Sequence, residues 1–479
     1  MLMNQYSGLQ SGTTVQRVMW AGAVTALLIL VVTNPYDKSP DQLLLACTII
    51  VATMLPLSAW LGERGERSIP LLAMHGIFYV ACYGVAGFVT PERFIGGIQV
   101  LESDYTPALA AALLSWMMVC AGYYSASRRR REKSPQALQI HSLRIDIFAV
   151  RVLYPASALA ITVIERLGIS ALTQIAIAVH TFSFIWILHA AWSGKLPETY
   201  RLIVLMLYVP AELVIFGGLS EGKLAGLLIY GQTIGITYAL TRGRVPAIAA
   251  VLVAVMFSLL QPVKSEFREL TRNTGEAQIG RIEGITLFAN LTWRYYNDET
   301  FNQDAKVTFD DWYSRINHLH TAAAVIAETP ATQPYQYGNT LLPLITKWIP
   351  RFLWPDKPRE DLGNYWAKDY GYLGEEDFIT SYNLPWLAEM YMNFGWLGVV
   401  VLSFAVGLLM GGWRAWLITR SMTSVQYGYA LMLASSFFFP ESNLSLQLGD
   451  LIIKGVSVWL LLRILPVTRT PLSRLGAQS

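Results

Sequence analysis

The chain has 479 residues, of which 53% are hydrophobic and 14% charged, and its formal net charge is +3. Soluble globular proteins carry about 25% charged residues, so this chain lacks the polar surface that water requires. The apolar content excludes a disordered chain, and the small net charge excludes nucleic acid as a partner. The composition therefore predicts a polytopic membrane protein.

Apolar runs long enough to cross a bilayer recur along the chain, and about twelve spans of about 20 residues are expected. They must be helical, because lipid cannot satisfy backbone polar groups and the strands of a barrel would alternate. No cleavage signature follows the first run, so a retained span is expected. The runs lie near 18–33, 41–61, 70–90, 107–124, 145–164, 169–192, 202–219, 223–240, 245–262, 394–413, 424–440 and 447–466.

The distribution of Lys and Arg predicts the orientation. One set of alternate connections holds 18 of these residues, and the short connections of the opposite set hold four. By the positive-inside rule, both termini are cytoplasmic. The chain then divides into a bundle of about nine helices at 1–262, a large outer loop at 263–382 and about three helices at 383–479. A loop of this length is usually functional.

The outer loop begins with residues 264–296, which are expected to be helical but interrupted by Gly275, Gly280 and Gly284. Arg281 is a candidate ligand for an anion because it lies beside Gly280 and Glu283. An ordinary solvated ion pair explains it equally well. Arg294 lies among aromatic residues and is typical of an interfacial anchor.

Residues 310–327 (DDWYSRINHLHTAAAVIA) predict a second helix in the loop. Asp311, Arg315 and His318 follow at i, i+4 and i+7, which places them on one side. An arginine beside a histidine combines phosphate recognition with a titratable base. The alternative is a surface pair of Asp311 with Arg315 and a merely exposed His318.

Residues 347–359 (KWIPRFLWPDKPR) contain three prolines, which hold the backbone extended and stiff. The aromatic side chains suit the headgroup level of a bilayer. Arg351, Lys357 and Arg359 add cations to this aromatic ledge. The aromatic side chains would contact the lipid part of a lipid-linked pyrophosphate, and the cations would bind its phosphate groups. The alternative is a plain interfacial anchor with snorkelling bases.

The segment 381–398 leads into the next span and places Trp386, Glu389, Asn393 and Trp396 at i, i+3, i+7 and i+10. A carboxylate and an amide flanked by indoles are typical of a sugar site. Partial desolvation of Glu389 at the membrane boundary would suit a general base. Equally, Glu389 could stabilise the N-terminal end of its helix.

Several of these motifs resemble the bacterial O-antigen and oligosaccharide repeat-unit polymerases (Wzy-type). The resemblance rests on Tyr335–Gly338 (YQYG), on residues 349–358 and on Glu389–Gly395, which ends in Asn-Phe-Gly. Arg315, ahead of Glu328-Thr329-Pro330, and the turn Ser220-Glu221-Gly222-Lys223 are similar to features of that family.

The resemblance implies an all-α, GT-C-like glycosyltransferase at the outer face of the bacterial inner membrane. Its substrate would be an undecaprenyl pyrophosphate-linked oligosaccharide, and its partners a flippase and a chain-length regulator. Arg315 and Arg351 would bind the pyrophosphate, and Glu389 or His318 would deprotonate the acceptor. Five residues are expected to support substrate binding: Arg281, Lys223, Lys357, Trp386 and Asn393. The outer loop has no Asp-x-Asp or His-rich metal signature, and no cofactor is expected.

Two other functions remain open. An O-antigen ligase shares the donor and the arginine chemistry but transfers the glycan to lipid A core. A transporter is indicated by Glu212 and other ionisable residues in or near the spans, because such groups are costly in lipid and usually functional. The Trp-Pro-Asp-Lys-Pro and Asn-Phe-Gly runs favour the polymerase.

Overall fold

The computed structural model describes residues 3–62, 68–90, 93–95, 98–129, 143–168, 170–219, 222, 224–273, 281–298, 313, 316–346, 354, 362–378, 380–417 and 423–465. Within these ranges the regular secondary structure is helical apart from one antiparallel pair of strands, Arg93–Ile95 and Ile98–Val100. The expected helical class is confirmed at this level.

Nine helices in these ranges are long and apolar enough to cross a membrane. They are Thr14–Thr33, Pro40–Gly62, Leu71–Val89, Ser103–Ser127, Leu143–Arg166, Leu172–Trp192, Glu198–Phe216, Trp386–Arg414 and Leu444–Ile464. Helices also occupy the three other expected positions. Ala247–Leu260 and Ser424–Ser435 have only 14 and 12 residues, and Ala225–Arg242 is less apolar. Their length and apolar character are compatible with a polytopic membrane protein.

The chain forms two compact units. The first comprises Met1–Ala137, Ile316–Arg420 and Leu433–Val456, and the second comprises Leu138–Arg315, Ser421–Met432 and Ser457–Ser479. The expected outer loop is therefore divided between them. Its helices Lys264–Asn273 and Arg281–Asn297 belong to the second unit, whereas Leu319–Glu328 and Leu362–Asp369 belong to the first.

The first unit is built on two long helices, Glu102–Arg129 and Trp386–Leu417, which pack closely along much of their length. Glycines permit this approach. A Cβ atom added to Gly407 would lie 2.1 Å from the Val119 carbonyl oxygen, and one added to Gly411 would lie 2.2 Å from that of Tyr123. The pair forms a Gly-x-x-x-Gly motif, which brings membrane helices together where no side chain intervenes.

The remaining helices of the first unit surround this pair. Their bounds are Met3–Thr33, Pro40–Gly62, Leu71–Tyr79, a π-helical turn at Val80–Gly84, Ala86–Val89, Leu319–Glu328, a 3-10 turn at Asn339–Leu341, Pro343–Thr346, Leu362–Asp369 and the first part of Leu444–Ile464. Most are apolar, and their buried side chains form the core of the unit.

The helix expected over 310–327 begins instead at Leu319, so that prediction is wrong for residues 316–318. The Asn317 side chain accepts the Leu319 N–H at 3.0 Å and donates to Thr90 Oγ1 at 2.6 Å. The His318 N–H donates to the Cys82 carbonyl oxygen at 3.3 Å. These bonds hold the backbone in a non-helical path, because asparagine side chains compete with helical hydrogen bonding.

The second unit contains helices interrupted by π-helical segments. Its bounds are Leu143–Phe148, Ala149–Leu153 (π), Tyr154–Arg166, Ser170–Trp192, Glu198–Leu202, Ile203–Tyr208 (π), Val209–Ala211, Glu212–Phe216 (π), Ala225–Arg242, Ala247–Leu260, Lys264–Asn273 and Arg281–Asn297, with most of Ser424–Ser435. Such bulges occur frequently at functional sites in membrane and soluble helices.

The two helices that follow the Ala247–Leu260 helix pack through an apolar cluster. Its buried members are Leu224, Phe257, Val263, Phe267, Phe288 and Leu291. Arg281–Asn297 runs unbroken through Gly284, so the expected interruption there is wrong, whereas Gly275 and Gly280 lie outside the described residues. An isolated glycine costs a helix only about 1 kcal/mol, which this packing outweighs.

Candidate functional site

Two of the motif segments meet in the first unit, although they are more than 50 residues apart in sequence. The Gln336 N–H donates to the Met392 carbonyl oxygen at 3.0 Å, and the Tyr337 N–H donates to that of Asn393 at 3.1 Å. The Gly338 N–H donates to Asn393 Oδ1 at 2.8 Å. We call residues 335–341 the docked loop and the helix Trp386–Leu417 the site helix.

The docked loop requires unusual backbone angles at its centre. Tyr337 has φ 46° and Gly338 has φ 91°, both in the left-handed region. Glycine adopts this region without a steric cost, but a tyrosine does so only when its surroundings fix it. The hydrogen bonds to the site helix provide that constraint, and the Tyr337 side chain is left 73% exposed.

Glu389 and Asn393 of the site helix form a buried polar cluster with Thr340 of the docked loop. Thr340 Oγ1 donates to Glu389 Oε1 at 2.8 Å and accepts from Asn393 Nδ2 at 2.7 Å. The same amide donates to the Glu389 carbonyl oxygen at 2.8 Å. Every polar atom of the Asn393 side chain is thereby used within the protein.

The second oxygen of Glu389 accepts the N–H of Leu444, the first residue of the helix Leu444–Ile464. A carboxylate at this position satisfies a backbone donor that the helix cannot use and complements the helix dipole. Glu389 is fully buried rather than partly desolvated as the sequence interpretation had it. Both of its oxygens hold other segments in place, so it reaches a substrate only if Thr340 or Leu444 moves.

The site helix is broken directly after Asn393, the last residue of this cluster along the chain. Phe394 (φ −141°) and Gly395 (φ 59°) are non-helical, so the expectation that Trp386 and Trp396 share one helical face is wrong. The carbonyl oxygens of Met392 and Asn393 accept bonds from the docked loop instead of from the next helical turn. The break also needs glycine, because a Cβ atom at position 395 would lie 2.8 Å from the Tyr335 hydroxyl.

The break exposes aromatic side chains beside the docked loop. Phe394 is 38% exposed and Trp396 is 42% exposed, and the Trp396 ring lies 5.8 Å from that of Tyr391. With Tyr337, these rings offer apolar faces of the kind on which pyranose rings stack. Sequence reasoning did not select Tyr337 or Phe394, although both belong to the motifs that carry the resemblance.

Trp386 has a different environment. It is buried, and its ring lies 5.9 Å from the His75 ring and 6.4 Å from that of Phe437. His75 Nδ1 in turn donates to the Phe437 carbonyl oxygen at 2.8 Å. Trp386 is therefore packed between helices and does not line an open sugar site.

His318 lies in a second polar cluster of the same unit. Its Nε2 is 3.9 Å from Glu441 Oε2, and its ring stacks on Phe78 at 5.6 Å. Among the residues that the structure describes, Nε2 has no hydrogen-bond partner. Glu441 is 31% exposed and accepts Asn383 Nδ2 at 3.0 Å. Glu441 and Asn383 were not selected from the sequence.

The predicted cationic part of the site falls largely outside the described residues. This applies to Arg315, Arg351, Lys223 and Lys357. Arg281 begins the helix Arg281–Asn297, but its side chain is not described. Of the aromatic ledge, the structure describes Trp354, which is partly exposed. The role of these cations stays a prediction.

The second unit holds a buried carboxylate that the sequence also singled out. Glu212 lies in a π-helical segment, accepts the Tyr154 hydroxyl at 2.7 Å and faces His180 Nε2 at 3.1 Å. All three side chains belong to candidate membrane spans. This arrangement bears on the transporter alternative.

In the described ranges, no group of three or more His, Cys, Asp or Glu side chains has the geometry to hold a metal ion. The three cysteines, Cys47, Cys82 and Cys120, are free thiols. In comparisons with known proteins, no family profile, curated protein or solved structure matches this chain.

Proposed function

We propose that this protein polymerises lipid-linked oligosaccharide repeat units, as a membrane-embedded glycosyltransferase without a metal cofactor. The observation that carries the proposal is the pairing of the docked loop with the Asn-Phe-Gly end of the site helix. Two of the segments on which the resemblance rests, Tyr335–Gly338 and Glu389–Gly395, pair directly with each other, and exposed aromatic rings lie beside this pairing. A purely architectural contact between spans does not require such a surface.

The proposed reaction transfers the growing glycan from undecaprenyl pyrophosphate to a hydroxyl of the incoming repeat unit. The bond between the anomeric carbon and the pyrophosphate oxygen breaks, and a bond to the acceptor oxygen forms. Arg315 and Arg351 would bind the leaving pyrophosphate, with Arg281, Lys223 and Lys357 in support. One fixed donor to a developing negative charge typically contributes about 10²–10³ in rate.

The acceptor hydroxyl must also lose its proton. Between the two candidates from the sequence, the geometry favours His318 over Glu389. Both Glu389 oxygens accept hydrogen bonds, whereas His318 Nε2 has no hydrogen-bond partner among the described residues and lies 3.9 Å from Glu441 Oε2. Glu441 is the more exposed member of this pair, so we propose that the hydroxyl approaches Glu441 and that the pair together takes up the proton.

The architecture in this proposal is that of a GT-C-like enzyme of about twelve spans in the bacterial inner membrane. Both termini would be cytoplasmic, and the segment 263–382 would face the periplasm, where lipid-linked repeat units arrive through a flippase. A chain-length regulator is the expected protein partner.

The test uses purified full-length protein with one lipid-linked repeat unit and no other acceptor. The proposal expects a ladder of longer products on a gel. Arg315→Ala and Arg351→Ala should abolish the ladder, and the control Arg294→Ala, at an exposed arginine on the helix Arg281–Asn297, should retain it. A full ladder from both site variants would contradict the site assignment.

A separate variant tests the base. His318→Gln keeps a polar side chain but removes the titratable ring, and general-base catalysis typically contributes about 10²–10⁴ in rate. The initial rate of ladder formation should therefore fall by at least tenfold at neutral pH, with little change in the substrate concentration for half-maximal rate. An unchanged rate would exclude His318 from proton transfer.

Two alternatives give different results in the same system. An O-antigen ligase would be inert until lipid A core is added and would then give a single transfer product. A transporter is supported by the full burial of Glu212 within a candidate span. In that case proteoliposomes would accumulate a labelled solute, and Glu212→Gln would abolish the uptake.

A further inference from the structure

Two side chains from two candidate spans of the second unit converge on a carboxylate that belongs to a third span. Tyr154, His180 and Glu212 lie in Leu143–Arg166, Leu172–Trp192 and Glu198–Phe216, and all are buried, Glu212 at 0% exposure. Glu212 Oε2 accepts the Tyr154 hydroxyl at 2.7 Å and lies 3.1 Å from His180 Nε2. The proposed polymerase chemistry makes no use of this cluster.

The hydrogen-bond geometry requires one proton between the two titratable groups. His180 Nδ1 lies 3.0 Å from Ser157 Oγ, whose one proton goes either to Nδ1 or to the Tyr154 carbonyl oxygen 2.8 Å away; in the second case Oγ accepts from Nδ1. If Ser157 donates, the proton of the neutral ring is on Nε2. If Ser157 accepts, Nδ1 carries a proton, and the contact of Nε2 with Oε2 then needs a second one from the ring or from the carboxyl group.

The other oxygen of Glu212 is not satisfied. Oε1 is buried and has no hydrogen-bond partner among the described residues. No Lys or Arg side chain of these residues lies within salt-bridge distance of Glu212. An anionic oxygen in such a place is costly, because neither lipid nor apolar side chains replace the hydrogen bonds of water.

The surrounding elements supply few other charges. Tyr208 and Tyr230 approach Tyr154 from their own helices, and Phe216 covers the His180 ring at 4.4 Å. Asp146 accepts the Trp186 indole N–H at 2.7 Å, and Arg151 stacks on Tyr200. The helix Arg281–Asn297 packs near Glu212–Phe216 with Glu283 and Arg294 exposed on it.

We propose that His180 and Glu212 form an intramembrane proton-binding site, with one proton shared between Nε2 and Oε2 and a second bound at Oε1. A proton fits this site better than a metal cation does, because a hard cation needs about six oxygen ligands and Glu212 offers one uncommitted oxygen. The π-helical segment Glu212–Phe216, which carries the carboxylate, is a form of helix that recurs at functional sites.

Infrared spectroscopy of the full-length protein in lipid, with ring-labelled histidine, tests this proposal. At each pH, the spectrum of the Glu212→Gln variant is subtracted from that of the wild-type protein, and the difference isolates the Glu212 carboxyl band. Across the series, that band and the His180 ring band should change together, because the two groups share one proton. The control Glu198→Gln, at an exposed glutamate of the same span, should leave both bands unchanged.

Two outcomes would overturn the proposal. One is a pair of bands that stays constant across the series, which would mean a fixed structural hydrogen bond. The other is two bands that change independently. If Glu212→Gln fails to fold, Tyr154→Phe replaces it, because it keeps the carboxyl group and removes one donor. The carboxyl band should then shift in frequency, and an unshifted band would contradict the assignment. The result is independent of the ladder assay.

Discussion

Replacing Asn393 with alanine should destabilise the protein through the docked loop. The side chain makes three hydrogen bonds, to Thr340 Oγ1, to the Glu389 carbonyl oxygen and from the Gly338 N–H, at 2.7, 2.8 and 2.8 Å. A buried hydrogen bond contributes about 1 kcal/mol net, so losing all three should lower the free energy of unfolding by about 3 kcal/mol. The Gly338 N–H also loses its acceptor, which opposes the left-handed turn at Tyr337.

The assay is thermal unfolding of the detergent-solubilised protein, with Asn297→Ala as the matched control. Asn297 is exposed and, within the described part of the chain, donates to the Trp293 carbonyl oxygen of its own helix. Its loss should change the free energy of unfolding by less than about 0.5 kcal/mol. If Asn393→Ala unfolds at the wild-type midpoint but loses ladder activity, Asn393 contacts the substrate, and the structural role described here is wrong.

Two further perturbations have defined outcomes. Gly407→Ala should destabilise the protein by about 1–3 kcal/mol, because the added Cβ would meet the Val119 carbonyl oxygen. The control Gly412→Ala has open space around it and should be neutral or stabilising. Equal unfolding midpoints for the two variants would contradict the glycine contact. Burial and nearby Glu375 raise the pKa of Asp369 above its usual value of 3.8. The protonated carboxyl group is therefore favoured in the folded protein. The free energy of unfolding that it contributes is fully present below pH 3.8 and is lost as the pH rises through the raised pKa. Asp369→Asn should therefore raise the unfolding midpoint at neutral pH, and this gain should vanish on acidification; a pH-independent gain would exclude the carboxyl group as its cause.

Much of the helical framework could be predicted from local sequence. The apolar runs correspond to helices at the expected positions because a chain in lipid must satisfy its backbone hydrogen bonds within each segment. Local rules failed where a side chain or a distant segment competes for those bonds. Asn317 delays the helix that begins at Leu319, and the docked loop takes the carbonyl groups that would continue the helix through Gly395.

The candidate site was only partly predictable for the same reason. Helical spacing correctly placed Glu389 and Asn393 near each other, because both lie in one unbroken helical stretch before Phe394. The spacing gave no sign that Thr340 lies between them or that Glu389 accepts the Leu444 N–H. Their role in holding segments together became visible only from those partners.

By itself, the sequence determined the helical framework and its transmembrane character, since composition and the low polarity of lipid leave few other solutions. Tertiary structure alone decided which segments meet. The docked loop reaches the site helix across more than 50 residues, and the spans that carry Tyr154, His180 and Glu212 enclose a carboxylate together. Such contacts depend on how helices pack, and no local periodicity encodes the pairing of side chains on different helices.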